Sequence, residues 1–309
     1  MEVVRGLHNL RPRHRGCVLT IGAFDGIHRG HQEMIRVVRE RAAEQALPAT
    51  VLSFEPTPRE FFAKKDPPPR LTRFREKVEI LERAGLDRFV CLRFDERLRS
   101  MDPATFIEQV LIKGLDVRHV VVGHGFKFAR NSAGDVQTLR EAGERLGFDV
   151  SEVPPFEIDG ERVSSSRVRQ ALRNGELDHA ARLLGRPYGM TGKVIEGKKL
   201  GRSLGFPTAN LRLHRRATPL AGIFAARVTG CGLERAPAVA SLGTRPAVDG
   251  GELLLEVHVF DFDGDIYRRY LHVDFIARLR EERWFPSLDA LVQQMHEDAR
   301  LAKEILAKS

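Results

Sequence analysis

Short apolar runs alternate with amphipathic segments through the first half of the chain. Runs at residues 17–21, 49–54, 88–92, 118–122 and 148–150 predict buried strands. The segments between them predict helices; in residues 34–47, for example, Ile35, Val38, Ala42 and Ala46 share one face. Strands that alternate with helices predict a doubly wound α/β domain with a mostly parallel sheet. Residues 1–15 carry little apolar pattern and are interpreted as a lead-in.

The pattern changes after residue 185, so we divide the chain into domains 1–185 and 186–309. Short β-rich runs lie at residues 189–195, 208–213, 223–228, 236–241, 253–260 and 270–276. Evenly spaced strands without intervening helices predict a closed antiparallel barrel, an all-β domain. From Ser287 onward, Leu288, Leu291, Val292, Met295, Ala299, Ala302 and Leu306 share one helical face. They predict a C-terminal amphipathic helix packed on the barrel.

Composition narrows the class of protein. The 309 residues are 42% hydrophobic and 30% charged, which is typical of a globular protein. We expect no membrane span and no signal segment. Cys17, Cys91 and Cys231 lack paired spacing, which argues against a disulfide framework or a zinc site and predicts a cytoplasmic location. The net charge of +8 is divided evenly between the two domains and does not by itself identify a partner.

A glycine-rich turn joins the first predicted strand to the first predicted helix. Its sequence is Gly22-Ala23-Phe24-Asp25-Gly26-Ile27-His28-Arg29-Gly30-His31. Glycines allow a tight turn and close approach of a ligand, and the N–H groups and dipole at a helix start favour an anion. His28 and His31 are three residues apart, so both imidazoles can face one phosphate. The alternative is two surface histidines near a turn.

A second anion site is indicated by Val163-Ser164-Ser165-Ser166-Arg167-Val168-Arg169 at another helix start. A plain N-cap by Ser164 or Ser165 with solvated arginines explains it equally well. Neither segment supplies an obvious protein nucleophile. Two phosphate sites suffice for nucleotidyl transfer, in which a substrate phosphate attacks the α-phosphate of a nucleotide and pyrophosphate leaves.

The second half contains a basic, glycine-containing loop, residues 198–205, followed by Phe206-Pro207-Thr208-Ala209-Asn210. Thr208 and Asn210 are two apart, so on a strand they share a face and suit Mg²⁺ and ATP phosphates. From the residues alone, an ordinary turn and strand is favoured. Glu256 and His258 alternate with apolar neighbours, which ordinarily indicates a solvent-facing strand side.

These motifs, in this order over both halves, resemble bacterial riboflavin kinase/FAD synthetase. For the first half, residues 22–31, Phe54-Glu55-Pro56-Thr57-Pro58 and residues 164–169 carry the resemblance. It implies that His28 and His31 stabilise nucleotide phosphates during transfer. It also implies ATP or phosphate contacts for Gly22, Phe24, Asp25, Gly30, Arg162, Ser165, Ser166 and Arg169. The implied flavin-binding residues are Phe54, Pro56, Pro58, Phe62 and Phe126, although core packing is the better interpretation of Phe61-Phe62 from the residues alone.

For the second half, Gly201-Arg202-Ser203-Leu204-Gly205-Phe206-Pro207-Thr208-Ala209-Asn210 resembles the riboflavin kinase motif. The resemblance implies that Glu256 is the base on the ribityl 5′-hydroxyl. It implies Thr208 and Asn210 as metal ligands in a Mg-ATP site. The implied ATP-binding residues are Lys198, Gly201, Arg202, Pro207, Thr208 and Asn210, and the implied flavin-binding residues are Phe206, Glu256 and Arg280.

The chain departs from the family pattern at four positions. Ser166 replaces a usual threonine, and Thr57 replaces a usual histidine or glutamine. Gly125 lies where an aspartate or asparagine is usual, and Arg268 where a glycine usually follows the tyrosine.

The resulting prediction is a bifunctional enzyme that makes FMN from riboflavin and ATP, then FAD and pyrophosphate from FMN and ATP. The implied cofactor is Mg²⁺ with ATP, and the flavins are substrates and products. The expected partners are these small molecules, with no nucleic acid, no membrane, and at most a weak or transient homo-oligomer. The alternatives are that only the kinase step is efficient, that the first module accepts another phosphorylated substrate, or that the chain is a non-catalytic flavin- or RNA-binding regulator.

Overall fold

The computed structural model describes residues 1–63, 65–196, 204–244 and 253–308. By compactness, these residues form two units. Unit 1 comprises Met1–Pro68 and Arg73–Ser164, and unit 2 comprises Pro69–Thr72 and Ser165–Ser309. A structural division at Ser164 differs from the boundary expected at residue 185, and the functional boundary stays a prediction.

Unit 1 is built on a parallel sheet of six strands in the order β1-β4-β3-β2-β5-β8. These strands are β1 (Glu2–Arg5), β2 (Cys17–Ile21), β3 (Ala49–Glu55), β4 (Arg88–Arg93), β5 (Val117–Gly123) and β8 (Asp149–Val153). Two short hairpins pair β6 (Lys127–Phe128) with β7 (Gly134–Asp135), and β9 (Glu157–Ile158) with β10 (Glu161–Arg162). The lead-in interpretation of residues 1–15 is wrong, because β1 pairs with β4 at the edge of the sheet.

The helices of unit 1 follow the predicted alternation. They are α1 (Arg29–Glu44), α2 (Pro58–Phe62), α3 (Phe74–Arg83), α4 (Glu96–Ser100), α5 (Pro103–Phe106) and α6 (Val136–Leu146). The Asp102 carboxylate accepts from the Thr105 N–H and caps α5. A π-helical segment, Ile107–Leu115, continues α5, and 3₁₀ turns cover Leu7–Asn9, Pro12–His14 and Arg130–Ser132.

The strand order reverses between β2 and β5, which lie side by side at the centre of the sheet. In an open α/β sheet, such a switch point leaves a crevice outside the carboxyl ends of the strands. The glycine-rich turn follows β2 directly, and His124-Gly125 follows β5. The topology therefore brings these two loops to the edge of the sheet where ligands bind in this fold class.

Unit 2 begins with helices α7 (Ser165–Asn174) and α8 (Leu177–Leu184), and Gly185 ends α8 in the left-handed conformation. A closed barrel follows in the order β11-β12-β15-β14-β13-β16. Its strands are β11 (Tyr188–Ile195), β12 (Ala209–Arg212), β13 (Gly222–Gly230), β14 (Leu233–Thr244), β15 (Leu253–Val259) and β16 (Tyr270–Arg280). The predicted antiparallel barrel is confirmed.

The C-terminal helix α9 (Leu288–Leu306) packs on strands β13, β14 and β16. Ser287 caps it by accepting from the Ala290 N–H. Ala302 and Leu306 are buried against Ala225 and Phe260, so the predicted packing is confirmed. Leu288 is 66% exposed and does not belong to the packed face, because it lies in the first turn beyond the barrel contact. Among the described residues, no helix is both long and apolar enough to cross a membrane.

Candidate functional site

The glycine-rich loop of unit 1 has an unusual backbone. Phe24, Gly26 and Ile27 have φ of 48°, 84° and 45°, the left-handed region that costs energy for residues other than glycine. Phe24 and Ile27 are fully buried, so core packing holds these conformations. A Cβ added at Gly22 would come within 3.1 Å of the Phe24 ring. The loop is therefore a rigid turn rather than a flexible glycine linker.

His28 and His31 lie together at the start of α1. His28 is its N-cap residue, and the two imidazole rings stack with centroids 3.7 Å apart. The Phe24 ring packs on His31 at 4.8 Å. A Cβ at Gly30 would approach the His28 ring to 3.3 Å, which explains the glycine between them. The alternative of two surface histidines is wrong, since His28 is 7% exposed.

The electrostatic environment of His31 favours a neutral ring. Burial lowers the pKa of His31 well below its ordinary value, and the nearby His28 and Lys77 lower it further. His31 Nδ1 is buried and has no hydrogen-bond partner among the described residues. A buried polar atom without a partner is unusual and occurs at functional sites. His31 therefore provides a neutral imidazole nitrogen at a helix N-terminus, suited to an anionic ligand.

Lys77 is a site residue that sequence reasoning missed. It lies on α3, is 3% exposed, and its Nζ donates to the Ala23 carbonyl oxygen at 2.6 Å. A charged residue on a helix ordinarily indicates a solvated face. The available signal was its spacing, because Lys77 lies between Phe74 and Leu81 on the apolar stripe of the helix.

Aromatic rings surround the end of β3. Phe54, Phe61 and Phe62 each contact Phe94 edge-on, with centroids 5.2–5.9 Å apart. Phe62 is 61% exposed, so core packing is the wrong interpretation for it. The predicted flavin-binding residues Phe54 and Phe62 thus share one cluster, and Pro56 and Pro58 lie in the same segment. Phe126 stacks on Phe128 at 5.8 Å in the loop after β5.

The structure accounts for three of the departures from the family pattern. Thr57 caps α2: its Oγ1 accepts from the Glu60 N–H, and its own N–H donates to Glu60 Oε2 at 2.9 Å. Gly125 has φ of 73° and open space around its Cβ position, and Arg268 has φ of 63°. Asparagine, aspartate and glycine tolerate this region best, which explains why the family uses them there.

The remaining predicted phosphate ligands are Arg162 in unit 1 and Ser165, Ser166 and Arg169 in unit 2. Arg162, on β10, donates to the His124 carbonyl oxygen at 3.4 Å, beside the loop after β5. Ser165 and Ser166 begin α7 in unit 2. Arg169 is 5% exposed and its Nε donates to the Pro69 carbonyl oxygen at 2.7 Å, so the solvated-arginine alternative is wrong. Phosphate contacts for these residues stay predictions, as they do for Gly22, Phe24, Asp25 and Gly30.

The barrel places the second set of candidates in one row. Glu256 lies directly opposite Asn210 on β12 and Ser241 on β14. Opposite residues of an antiparallel pair share a face. The register continues the row across the barrel, so that it consists of Asn210, Glu256, Ser241, Ile223 and Arg280. We call this set the outer row, because residues next to its members in sequence are fully buried in the barrel interior, namely Leu211, Leu255, Leu242 and Phe224.

A cavity of about 500 Å³ opens on the outer row. Ser241, Ile223 and Arg280 line it together with Glu282, Trp284 and Leu288. Burial raises the pKa of Glu282, and the carboxylate of Glu256 raises it further. The Glu282 carboxylate occupies the space that a Cβ at Gly243 would fill. A partly apolar cavity of this size, lined by Arg280, Arg283 and Glu282 among others, can hold a flat organic ring.

The remaining kinase candidates support or flank this cavity. Arg280 donates to Asp298 through Nε and Nη2 at 2.8–3.1 Å, so the ion pair fixes its direction. Phe206 is buried between the rings of His258 and His296. His258 Nδ1 lies 2.9 Å from the Pro207 carbonyl oxygen, next to Thr208. Lys198, Gly201 and Arg202 lie outside the described residues.

Two family models match separate parts of the chain. A family model described as FAD synthetase matches residues 10–167, and one described as riboflavin kinase matches residues 184–306. A crystal structure described as a macrolide-efflux protein from Streptococcus pneumoniae has a TM-score of 0.84 and 30% identity to this chain. The similarity covers 98% of this chain and 99% of that one.

Curated relatives match over essentially the whole length. A bifunctional riboflavin kinase/FMN adenylyltransferase from Pseudomonas fluorescens is 48% identical over 310 residues, covering 100% of this chain and 99% of the relative. The protein of the same name from Escherichia coli (strain K12) is 43% identical over 305 residues, covering 98% and 97%. The two family models and these relatives show that the chain belongs to the bifunctional riboflavin kinase/FMN adenylyltransferase family.

Proposed function

We propose that the two activities of this family reside in the two sites described above. The site at the switch point of the parallel sheet adenylylates FMN. His28 and His31 donate to the phosphates of ATP while the FMN phosphate attacks the α-phosphate. The stacked histidine pair at a helix N-terminus, with His28 buried, is the observation that carries this assignment. The aromatic cluster with Phe54 and Phe62 supports a nearby flavin ring, and Ser165, Ser166, Arg162 and Arg169 are proposed phosphate ligands.

The outer row of the barrel carries the kinase reaction. Glu256 accepts the proton of the ribityl 5′-hydroxyl as the γ-phosphoryl group transfers to it. Its register with Asn210 brings base and nucleotide ligand side by side. The cavity lined by Ile223, Arg280 and Glu282 is the proposed place for the flavin ring, and Glu282 is near enough to Glu256 for the two carboxylates to interact. Arg280, held by Asp298, contributes a fixed positive charge to its wall.

The residues around Asn210 suit Mg²⁺ bound together with ATP. Thr208 and Asn210 offer neutral oxygen atoms, and Asn210 is 7% exposed with the Glu256 carboxylate opposite. Oxygen donors are what Mg²⁺ prefers, and it is usually held by one or two protein groups plus substrate phosphates. When bound, the ion would neutralise charge on the phosphates; Thr208 and Asn210 would hold and orient it.

The decisive experiment incubates the protein with riboflavin, ATP and Mg²⁺ and separates riboflavin, FMN and FAD by chromatography. We expect FMN to appear first and FAD to follow. An arrest at FMN would support the alternative in which only the kinase step is efficient. No conversion of riboflavin, with binding of RNA instead, would favour the non-catalytic regulator.

Two substitutions separate the sites. Glu256→Gln is expected to lower FMN formation by about 10²–10⁴-fold, because it removes a general base, while FAD synthesis from supplied FMN continues. His31→Ala is expected to lower FAD synthesis by about 10²–10³-fold and to leave FMN formation unchanged. His119→Gln is a matched control, since His119 is also buried but bonds to Ser151 within the sheet. Loss of both activities in a folded single variant would contradict two separate sites.

A further inference from the structure

A buried lysine lies beneath the glycine-rich loop of the first unit. Lys77 Nζ donates to the Ala23 carbonyl oxygen at 2.6 Å and to Ser53 Oγ at 3.3 Å. Ser53 Oγ in turn donates to the same carbonyl at 3.1 Å. Lysines are almost never buried unless they are paired or hydrogen-bonded, because removing the charge from water is costly. Lys77 is 3% exposed, so burying its charge costs free energy of folding that a leucine or methionine at the same position would not cost.

The carbonyl that Lys77 binds belongs to the strained part of the loop. It lies in the peptide that joins Ala23 to Phe24, and Phe24 has φ of 48°. Left-handed backbone at a non-glycine residue persists only when its surroundings hold it in place. Because the peptide is planar and trans, fixing the Ala23 carbonyl also fixes the direction of the Phe24 N–H. The Phe24 ring then contacts His31, so this hydrogen bond sets the position of a histidine.

We propose that Lys77 is a positioning residue of the adenylyltransferase site, whose ammonium group holds the Ala23–Phe24 peptide and thereby aligns the histidine pair with the nucleotide phosphates. This inference rests on the function proposed above for that site. Lys77 acts through the loop, without contact to the reacting atoms. Its charge also contributes to the positive potential beneath a site that binds anions.

The positive charge of Lys77 also affects the pKa of His31. The groups that contact His31 or shift its pKa are His28 and Phe24 from the loop and Lys77 from α3. The carboxylates nearest to it along the chain are Glu33 on α1 and Asp25 in the loop. Burial lowers the pKa of His31 most, followed by His28 and Lys77. Removing the lysine charge therefore raises the pKa of His31. An uncharged side chain that only filled the same space would have no such effect.

The test compares Lys77→Met, Lys77→Gln and Lys77→Arg in the full chain. Met keeps the volume without charge or donor, Gln keeps a donor without charge, and Arg keeps both. FAD synthesis from supplied FMN and ATP is measured as kcat/KM across pH, with riboflavin phosphorylation by the same sample as the control for folding. We expect Lys77→Met to lower kcat/KM for FAD synthesis by about 10–100-fold, since small misplacements of site groups cost that much. Lys77→Arg should retain most activity.

The pH profile distinguishes positioning from packing. In Lys77→Met and Lys77→Gln the acid limb of FAD synthesis should move to higher pH, and imidazole NMR should show His31 protonating at higher pH than in the wild type. Unchanged kcat/KM and an unchanged acid limb in a variant that still phosphorylates riboflavin would overturn the proposal. If Lys77→Met fails to fold, Lys77→Gln alone decides by the same two measurements. Absence of FAD synthesis in the wild type would instead refute the function proposed for the site.

Discussion

Replacing Asp298 by alanine tests how strongly one ion pair holds the C-terminal helix on the barrel. Asp298 lies on α9 with its side chain 4% exposed, and its partner Arg280 ends β16 with its side chain 18% exposed. Three contacts of 2.8–3.1 Å join the two groups. Gln294 Nε2 adds a hydrogen bond to Asp298 Oδ1 at 2.9 Å. Alanine removes both carboxylate oxygens that accept from Arg280, and the Arg280 guanidinium stays partly buried without its counter-charge.

The geometry sets the expected size of the effect. Removing one partner of a buried pair costs about 3–5 kcal/mol, because the remaining charge is left without compensation. Arg280 keeps some exposure and its bond from Nη1 to the Glu281 carbonyl oxygen, so the lower value applies. A loss of about 3 kcal/mol is about a 10²-fold change in an equilibrium constant. Asp298→Asn should cost less, since one acceptor oxygen remains.

Hydrogen exchange of peptides from α9 measures this loss within one element. In Asp298→Ala, amides of residues 288–306 should exchange about 10²-fold faster than in the wild type when exchange follows the opening equilibrium. Arg300→Gln is the matched control on the same helix, because Arg300 pairs with Glu297 and Glu304 where all three are about half exposed. Exposed pairs contribute little, so its exchange should be nearly that of the wild type. Equal exchange in Asp298→Ala and Arg300→Gln would refute the reasoning.

Three further predictions follow from single residues. Gly125→Ala should destabilise the first unit by about 1 kcal/mol, because φ at this position is 73°. Gly125→Asn should cost less, because asparagine tolerates positive φ better than alanine does. Urea titrations that show a larger loss of stability for Gly125→Asn would contradict this. The Thr138 N–H and Lys127 lower the pKa of Asp135 to about 2 from 3.8, so its stabilising contribution is complete above pH 3.8 and is lost as pH falls toward 2. Acid unfolding of Asp135→Asn should therefore be less steep in that window than that of the wild type. A thiol reagent at about pH 8 should label the exposed Cys231 rapidly and the buried Cys17 slowly, because burial raises the pKa of Cys17 to about 11. Mass spectrometry of labelled peptides locates the modified cysteine, and rapid labelling of Cys17 would contradict this.

Elements whose burial follows a simple period were predictable from the sequence. The run 17–21 forms β2 with every residue buried, and the alternation of residues 253–259 forms β15. Asp102 caps α5 because a side-chain oxygen before a helix start satisfies a free N–H. In these cases the local pattern and the tertiary environment favour the same structure, so the pattern alone is sufficient to predict the element.

Elements that depend on distant partners were not predictable. Residues 2–5 contain only a short apolar pair, and they form a strand because β4 offers an open edge. Lys77 looks like a solvated helix residue until its contact with Ala23, a residue distant in sequence, is known. Arg280 and Asp298 likewise become partners only when α9 packs on the barrel. The family resemblance named Arg280 but not the carboxylate that fixes it.

The two candidate sites obtain their geometry in different ways, and this determines which residues can be changed. In the barrel, Asn210 and Glu256 are neighbours because of the strand register, which the fully buried residues Leu211 and Leu255 maintain on the opposite face. A substitution of Glu256, which is only partly buried, should therefore alter chemistry and leave the fold intact. In the parallel sheet, the histidine pair depends on a strained loop whose own side chains, Phe24 and Ile27, are part of the core. Substitutions there combine loss of alignment with loss of stability, so only variants that keep volume, such as Lys77→Met, can separate the two effects.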